Sequence, residues 1–147
     1  MDIDLGRRLR SRMWRRPLSV GAQIARMRTD WERRALENPL HFIATGNEHW
    51  DPKEFYASGE QTVRAYILSD MENVCQGKNP KDMRVLEIGC GAGRETRCLA
   101  GIFGEIHAVD ISAEMVRLAR NAVGAFPSAF IHHNQWNGSG GGSRPAV

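Results

Sequence analysis

Arg84-Val85-Leu86-Glu87-Ile88-Gly89-Cys90-Gly91-Ala92-Gly93-Arg94 decides the fold. A short apolar run interrupted by Glu87 ends in three glycines that alternate with small residues, and a helical pattern follows. This order predicts a strand, a tight glycine turn and a helix start, the arrangement that brings backbone N–H groups against a nucleotide-like ligand. Asp110 lies 21 positions after Gly89, at the end of a second strand-like run, Glu105-Ile106-His107-Ala108-Val109.

Working outward, Met83–Ile88 reads as a first strand covered on both faces, because its apolar pattern is nearly continuous. Arg94 to about Phe103 reads as a helix with Leu99, Ile102 and Phe103 inward, closed by Gly104. After the strand at 105–109, Ser112 caps a helix with Glu114 in its first turn and an apolar face of Met115, Leu118, Ala119, Ala122 and Val123. Gly124 ends it, and residues 128–132 form a short third strand. The predicted fold class is α/β: the first half of a doubly wound, Rossmann-like parallel sheet of three strands, preceded by N-terminal helices.

Upstream, Thr29-Asp30-Trp31-Glu32 has capping-box form and predicts a short helix ending before Asn38-Pro39. Residues 41–56 mix aromatics with turn formers and read as irregular structure or a helix-turn covering something apolar, the best candidate for a lid or substrate wall. His41, Trp50 and Tyr56 stand out, although each alone reads more readily as a packing residue. Ser58-Gly59-Glu60-Gln61 is a second capping-box form. Its helix is expected to run to about Cys75, stopped by Gly77 with Asn79-Pro80 beyond. The chain therefore divides into a flexible basic leader over 1–28, a helical lid region over 29–82, the ligand-binding core over 83–135, and a disordered Gly/Ser-rich tail over 136–147.

The bulk numbers fit one domain: 147 residues, 41% hydrophobic and 25% charged. No apolar run reaches the roughly 18 residues of a bilayer span, and no secretory pattern follows the basic start. The expected location is cytoplasmic. Cys75, Cys90 and Cys98 contain no C-x-x-C pair, so neither a disulfide frame nor a zinc site is indicated. The adjacent His132 and His133 would point to opposite faces of a strand, which disfavours a metal site.

The net charge of +3 conceals an asymmetry. Residues 1–28 hold eight arginines against Asp2 and Asp4, whereas the remaining 119 residues carry a balance of −3. A basic arm for RNA, DNA or an anionic membrane is one reading of Arg7 to Arg16; a solvated leader is the plainer one. The acidic body argues against nucleic-acid binding there.

The glycine loop departs from the G-x-G-x-x-G dinucleotide fingerprint, because Arg94 stands where the third glycine would let the helix pack. Val85 to Gly93, with Glu87-x-Gly89-x-Gly91-x-Gly93, followed by Val109-Asp110-Ile111-Ser112-Ala113-Glu114-Met115, resembles the class I S-adenosylmethionine-dependent methyltransferases over about residues 83–133. The resemblance implies a methyltransferase that takes S-adenosylmethionine as donor. It places Glu87 near the methionine amino group, Gly89, Cys90, Gly91, Ala92 and Gly93 along the methionine end, and Asp110 on both ribose hydroxyls. Ile111 and Met115 would wall the adenine, and Asn134 would meet its amino group where the family often carries an acidic or polar residue. Cys90 reads as a small filler. Catalytic residues and acceptor are unassigned.

The family continues into a fourth strand beside the first. This implies a C-terminally truncated methyltransferase whose first strand is an exposed edge, unless N-terminal helices or a partner cover it, with self-association through that edge as a consequence. The alternative is a non-catalytic half-Rossmann module for binding or oligomerisation. A nicotinamide-dependent dehydrogenase and a nucleic-acid methyltransferase using the basic arm are further readings.

Overall fold

The computed structural model describes residues 18–135; the Arg7–Arg16 arm and the Gly/Ser-rich stretch both lie outside the described residues. Helix α1 runs over Val20–Glu37 and is capped by Ser19, whose Oγ accepts the Ala22 N–H at 3.3 Å. The helix thus starts ten residues before the capping-box form at Thr29, and residues 20–28 belong to it rather than to a flexible leader. Thr29 sits within the helix, its hydroxyl donating to the Ala25 carbonyl at 3.0 Å. Asn38 ends α1 and caps α2 (Pro39–Ile43), with Pro39 at the first helical position, where a missing N–H costs nothing.

Helix α3 (Pro52–Tyr66) begins at Asp51-Pro52, not at Ser58; the Asp51 carboxylate accepts the N–H groups of Lys53 and Glu54. Ser58 lies mid-helix, its hydroxyl donating to the Phe55 carbonyl at 2.6 Å. A 3₁₀ turn at Leu68–Asp70 separates α3 from α4 (Met71–Cys75), so the expected single helix is two. The stop falls where expected, with Gln76 and Gly77 both left-handed.

Three strands follow: β1 (Arg84–Ile88), β2 (Glu105–Asp110) and β3 (Ala129–His133), joined by α5 (Thr96–Ile102) and α6 (Ala113–Val123). Their order is β1-β2-β3 and both pairings are parallel, with Glu87 opposite Ala108 and Ala108 opposite Ile131. One face is buried under α5 and α6 through Ile106, Ala108, Ile131, Leu99, Val116 and Ala119. Full burial of a side chain such as Ile106 is worth roughly 1.5–3 kcal/mol.

The other face is open, contrary to the expectation that the first strand is covered on both sides. Leu86 and Ile88 are 63% and 80% exposed, and in the same rows lie His107, Phe130 and His132. The apolar run read as a two-sided strand, but its alternate residues face opposite ways and helices cover one side only.

The N-terminal helices form a second cluster above the strand ends: Ala35, Phe55, Ala92 and Met115 are buried together, with Trp31, Leu40, Ile43 and Trp50 against them. Glu32 fixes α1 to the core. Its Oε2 accepts the buried Ser112 hydroxyl at 2.7 Å and the Glu114 N–H at 3.3 Å, supplementing the cap that Ser112 gives Met115. Glu32→Ala leaves a buried hydroxyl without an acceptor, so chemical denaturation should show a loss of about 1–3 kcal/mol. An unchanged midpoint would show that α1 is held by apolar contact alone.

Candidate functional site

The strand ends and the N-terminal helices enclose a cavity of about 400 Å³. Its floor is Ile88, Gly89 and Gly91 from β1 and the glycine loop, and Val109, Asp110 and Ile111 from the end of β2. Met115 of α6 and Asn134 close the sides, and Met27, Trp31, Phe42 and Ile43 form the roof.

The glycines are required by conformation. Gly89, Gly91 and Gly93 have φ of +80°, +53° and +79°, a region costly for other residues. They face different surroundings. A Cβ on Gly89 would meet nothing within 4 Å, one on Gly91 would lie 2.9 Å from Ile43 Cδ1, and one on Gly93 would press on Ala119. Gly89 therefore leaves open space at the cavity, while the other two allow α2 and α6 to approach.

The loop amides are largely used by the protein itself. The N–H groups of Gly89 and Cys90 both donate to the Val109 carbonyl, at 2.8 and 3.1 Å, and that of Gly93 to Cys90. The sequence suggests a loop that turns its N–H groups toward a ligand; the folded loop instead supplies room and a fixed path between β1 and α5. A cluster of free donors for a pyrophosphate is not what it builds.

Asp110 organises the two strand ends. Its Oδ2 accepts the Gly91 N–H and its Oδ1 the Ser112 N–H, both at 2.9 Å. A carboxylate accepts about four hydrogen bonds, so capacity for two further donors remains. The Asn134 N–H donates to the Asp110 carbonyl at 2.8 Å, which ties the end of β3 to the same corner.

Of the expected site residues, Gly89, Gly91, Asp110, Ile111, Met115 and Asn134 line the cavity together. Glu87, Cys90, Ala92 and Gly93 do not line it. Cys90 and Ala92 are buried in the two clusters, and Cys90 is an inert thiol, pushed up to about 12 by burial and by the Asp110 and Glu87 carboxylates. Glu87 lies on the helix-covered side of β1, where Thr96 Oγ1 donates to its Oε2 at 2.6 Å.

Burial raises Glu87 from the usual 4.5 to about 7; the Thr96 hydrogen bond opposes this, and Glu95 and Asp110 add to it. The folded chain thus holds this proton more tightly than the unfolded chain. The stabilisation is complete below pH 4.5 and is lost as pH rises through about 7. Urea denaturation at pH 5 and pH 8 should show the chain weaker at pH 8 by up to about 3 kcal/mol, and Glu87→Gln should remove that difference. A pH-independent variant difference would locate the cost elsewhere.

The segment 41–56 divides by role. Phe42 and Ile43 line the cavity, whereas the three residues singled out in sequence hold the segment in place. His41 Nδ1 lies 3.0 Å from the Asn47 carbonyl, Trp50 Nε1 donates to Ala44 at 2.7 Å, and the Tyr56 hydroxyl donates to Ala92 at 3.3 Å. Met27 and Trp31 were not anticipated. Their spacing of four places them on one face of α1, a pairing that the boundary between a leader over 1–28 and a helix from Thr29 divides. Arg94 is not free either: it donates to Ser58 and Thr62 of α3 and pairs with Glu95.

His132 and His133 do face opposite ways, His132 stacking on His107 and His133 Nε2 lying 3.1 Å from the Ile111 carbonyl. Among the described residues no group of three or more His, Cys, Asp or Glu could hold a metal ion, and no helix is long and apolar enough to cross a membrane.

Residues 85–136 match a family model described as a methyltransferase domain. The chain is 32% identical over 65 residues to the dTDP-3-amino-3,6-dideoxy-alpha-D-glucopyranose N,N-dimethyltransferase of Streptomyces fradiae, covering 44% of this chain and 24% of that protein. It is 32% identical over 80 residues to the ubiquinone biosynthesis O-methyltransferase of Xanthomonas axonopodis pv. citri (strain 306), covering 54% and 31%. The chain therefore spans under a third of the length of these relatives.

Among solved structures, it resembles Haemonchus contortus phosphoethanolamine N-methyltransferase 1 in complex with phosphoethanolamine and S-adenosylhomocysteine. The TM-score is 0.58 at 15% identity, over 80% of this chain and 22% of that one. It also resembles the magnesium protoporphyrin IX methyltransferase of Synechocystis PCC 6803 with bound S-adenosylhomocysteine, with a TM-score of 0.53 at 18% identity, over 76% and 51%. At these identities the likeness is one of fold. The described residues carry a three-stranded parallel sheet with its helices, half of the Rossmann-like fold of these methyltransferases, and residues 85–136 match a methyltransferase domain.

Proposed function

We propose that this chain binds S-adenosylmethionine in the cavity and serves methyl transfer from it to a small-molecule acceptor. The observation that carries the reading is the convergence of Gly89, Asp110, Ile111, Met115 and Asn134 on one cavity at the ends of β1 and β2. The residues present fit the cofactor. A volume near 400 Å³ lies within the range of small-molecule sites, and the open space at Gly89 admits a chain close to backbone. Asp110 retains acceptor capacity for two ribose hydroxyls, and Ile111 and Met115 offer apolar walls to a purine ring. Asn134 supplies a polar group at the rim of the same cavity.

When bound, S-adenosylmethionine supplies a sulfonium methyl that passes to an electron-rich acceptor atom, the S–CH₃ pair staying on sulfur as the new bond forms. The chain's part is to position and to exclude water. Trp31, Phe42 and Ile43 roof the cavity with apolar surface, and alignment of donor and acceptor within it carries much of such a displacement. Glu87 would balance the ammonium of the methionine end, through water given its place behind the loop. A cation there favours the ionised carboxyl, so ligand binding should release a proton between about pH 5 and 7. Calorimetry in buffers of different ionisation enthalpy measures that release, and Glu87→Gln should abolish it.

The reading is tested by titrating folded protein with S-adenosylmethionine and S-adenosylhomocysteine. Micromolar binding is expected, and absence of heat and of Trp fluorescence change at millimolar ligand would sink it. A second reading, a non-catalytic half-Rossmann module that associates through β1, is favoured by the exposed Leu86 and Ile88. It expects a concentration-dependent oligomer by light scattering together with weak or absent cofactor binding. Our proposal places the chain in the cytoplasm and assigns it no nucleic-acid partner.

A further inference from the structure

Beside the cavity lies a second recess of about 290 Å³, lined by Leu18, Gln23, Arg26, Asp30 and Arg34 and sharing the walls Met27 and Trp31 with the first. Arg34 is held there in an unusual way. Its guanidinium sits 4.9 Å from the Trp31 ring centroid and 5.4 Å from that of Phe42, two residues that roof the cavity. Its Nε is buried without a hydrogen-bond partner, and among the described residues no carboxylate lies within ion-pair distance of it. The one acidic group in the lining, Asp30, stands 4.0 Å from Arg26, and both are largely solvated.

An arginine fixed by two rings has already lost the rotamer freedom that binding would otherwise cost, and its planar fork keeps donors free for a two-point contact with an oxyanion. Burying an unmet donor is unfavourable unless a ligand meets the group or the aromatic contacts offset it. Met27 and Trp31 line both spaces, so the recess adjoins the cavity, and a substrate reaching past this wall would hold its charged end in the recess and its reacting atom at the cavity.

We infer that the recess is an anion subsite for the methyl acceptor, in which Arg34, supported by Arg26, receives a carboxylate or phosphate of a small anionic substrate. The inference rests on the methyltransferase reading and narrows its acceptor to a class. Arg34 is a binding and positioning residue, remote from the methyl group itself. Asp30 limits the net charge of the lining to one positive unit, so the subsite suits one anionic group rather than a polyanion.

The test uses the full chain labelled with ¹⁵N, with S-adenosylhomocysteine present and absent. Inorganic phosphate and acetate are titrated separately at ionic strength held constant with potassium chloride, following the Arg34 Nε–H and Trp31 Nε1–H signals. The expected result is a saturable shift of both signals with at least one of the two anions and none with chloride alone. Saturation by phosphate only assigns a phosphoryl group, and by acetate only a carboxylate. Arg34→Met should weaken the Trp31 response at least tenfold, whereas Arg117→Gln, on the exposed side of α6, should leave it unchanged. Arg34→Lys, which keeps the charge but loses the fork, should fall between them and serves if the methionine variant unfolds. S-adenosylhomocysteine binding with no saturable response to either anion would overturn this inference alone. Failure to bind S-adenosylhomocysteine would overturn the donor reading and the acceptor assignment with it.

Discussion

Asp110→Ala should lower the affinity for S-adenosylhomocysteine at least about 100-fold, or roughly 3 kcal/mol, the value of two hydrogen bonds to a charged group. The carboxylate is asked to do two things. It holds the glycine loop through Gly91 and the start of α6 through Ser112, and in the proposed complex it also accepts from the ribose. Removing it orphans two N–H groups as well as the ligand's donors. Asp110→Asn is the milder change. One amide oxygen can still accept, but the NH₂ that replaces the other oxygen faces the Gly91 or the Ser112 N–H, so about tenfold weakening with a loss of about 1–3 kcal/mol of stability is expected, less than the alanine variant loses. Titration calorimetry on both variants reads the result, and wild-type affinity in the alanine variant would remove Asp110 from the site.

The second large effect is steric. Gly59 lies within α3, where alanine would normally stabilise a helix by about 1 kcal/mol. Here a Cβ would fall 2.2 Å from the Arg94 carbonyl oxygen and 2.8 Å from its carbonyl carbon. Neither atom is the end of a flexible side chain, so α3 or the loop must move, at a cost of about 1–3 kcal/mol or more. Gly59→Ala should therefore lose stability despite the better propensity, lowering the melting temperature by roughly 5 °C for a domain of this size. Because Arg94 follows Gly93 directly, donor affinity should fall about tenfold as well. A stabilised variant would mean that α3 does not press on the loop.

These two sites differ in how visible they were. The place of Asp110 at a strand end beside the glycine loop was legible because its distance of 21 positions from Gly89 spans one strand–helix–strand unit, which brings the two strand ends together. The tight turn at the three glycines was legible in the same way, although not that its N–H groups bond within the protein. Gly59 was not legible: its partner Arg94 is 35 positions away, and the capping-box form around Ser58 suggested a helix start at the point where the helix is most tightly packed. Short polar patterns recur inside helices, and only the whole stretch tells them from true starts. Ser19 and Asp51-Pro52 were the starts, each followed by uninterrupted helix.

The cavity shows the same division. The motif spacing names Gly89, Gly91, Asp110 and Ile111 of its floor, but half of its roof comes from α1, where Met27 falls in the stretch 1–28 that reads as a leader and Trp31 in a capping-box form. Within 41–56 the three aromatics that stand out in the sequence take the plainer of their readings, as packing residues. Phe42 and Ile43 face the cavity, while His41, Trp50 and Tyr56 satisfy carbonyl groups that hold the segment. Hydrophobic spacing finds an apolar face but not what that face covers.

The attachment of α1 at Glu32 has a consequence for how the molecule breathes. With the helix both roofing the cavity and tied to the first turn of α6, a ligand in the cavity binds only the state in which α1 is docked. The amides of Ala35 and its neighbours should then exchange with solvent more slowly in proportion to ligand saturation, while those at the β3 end of α6 should keep their rates. In that sense the first helix reports occupancy, and slow exchange along it would be the earliest sign that the site is filled.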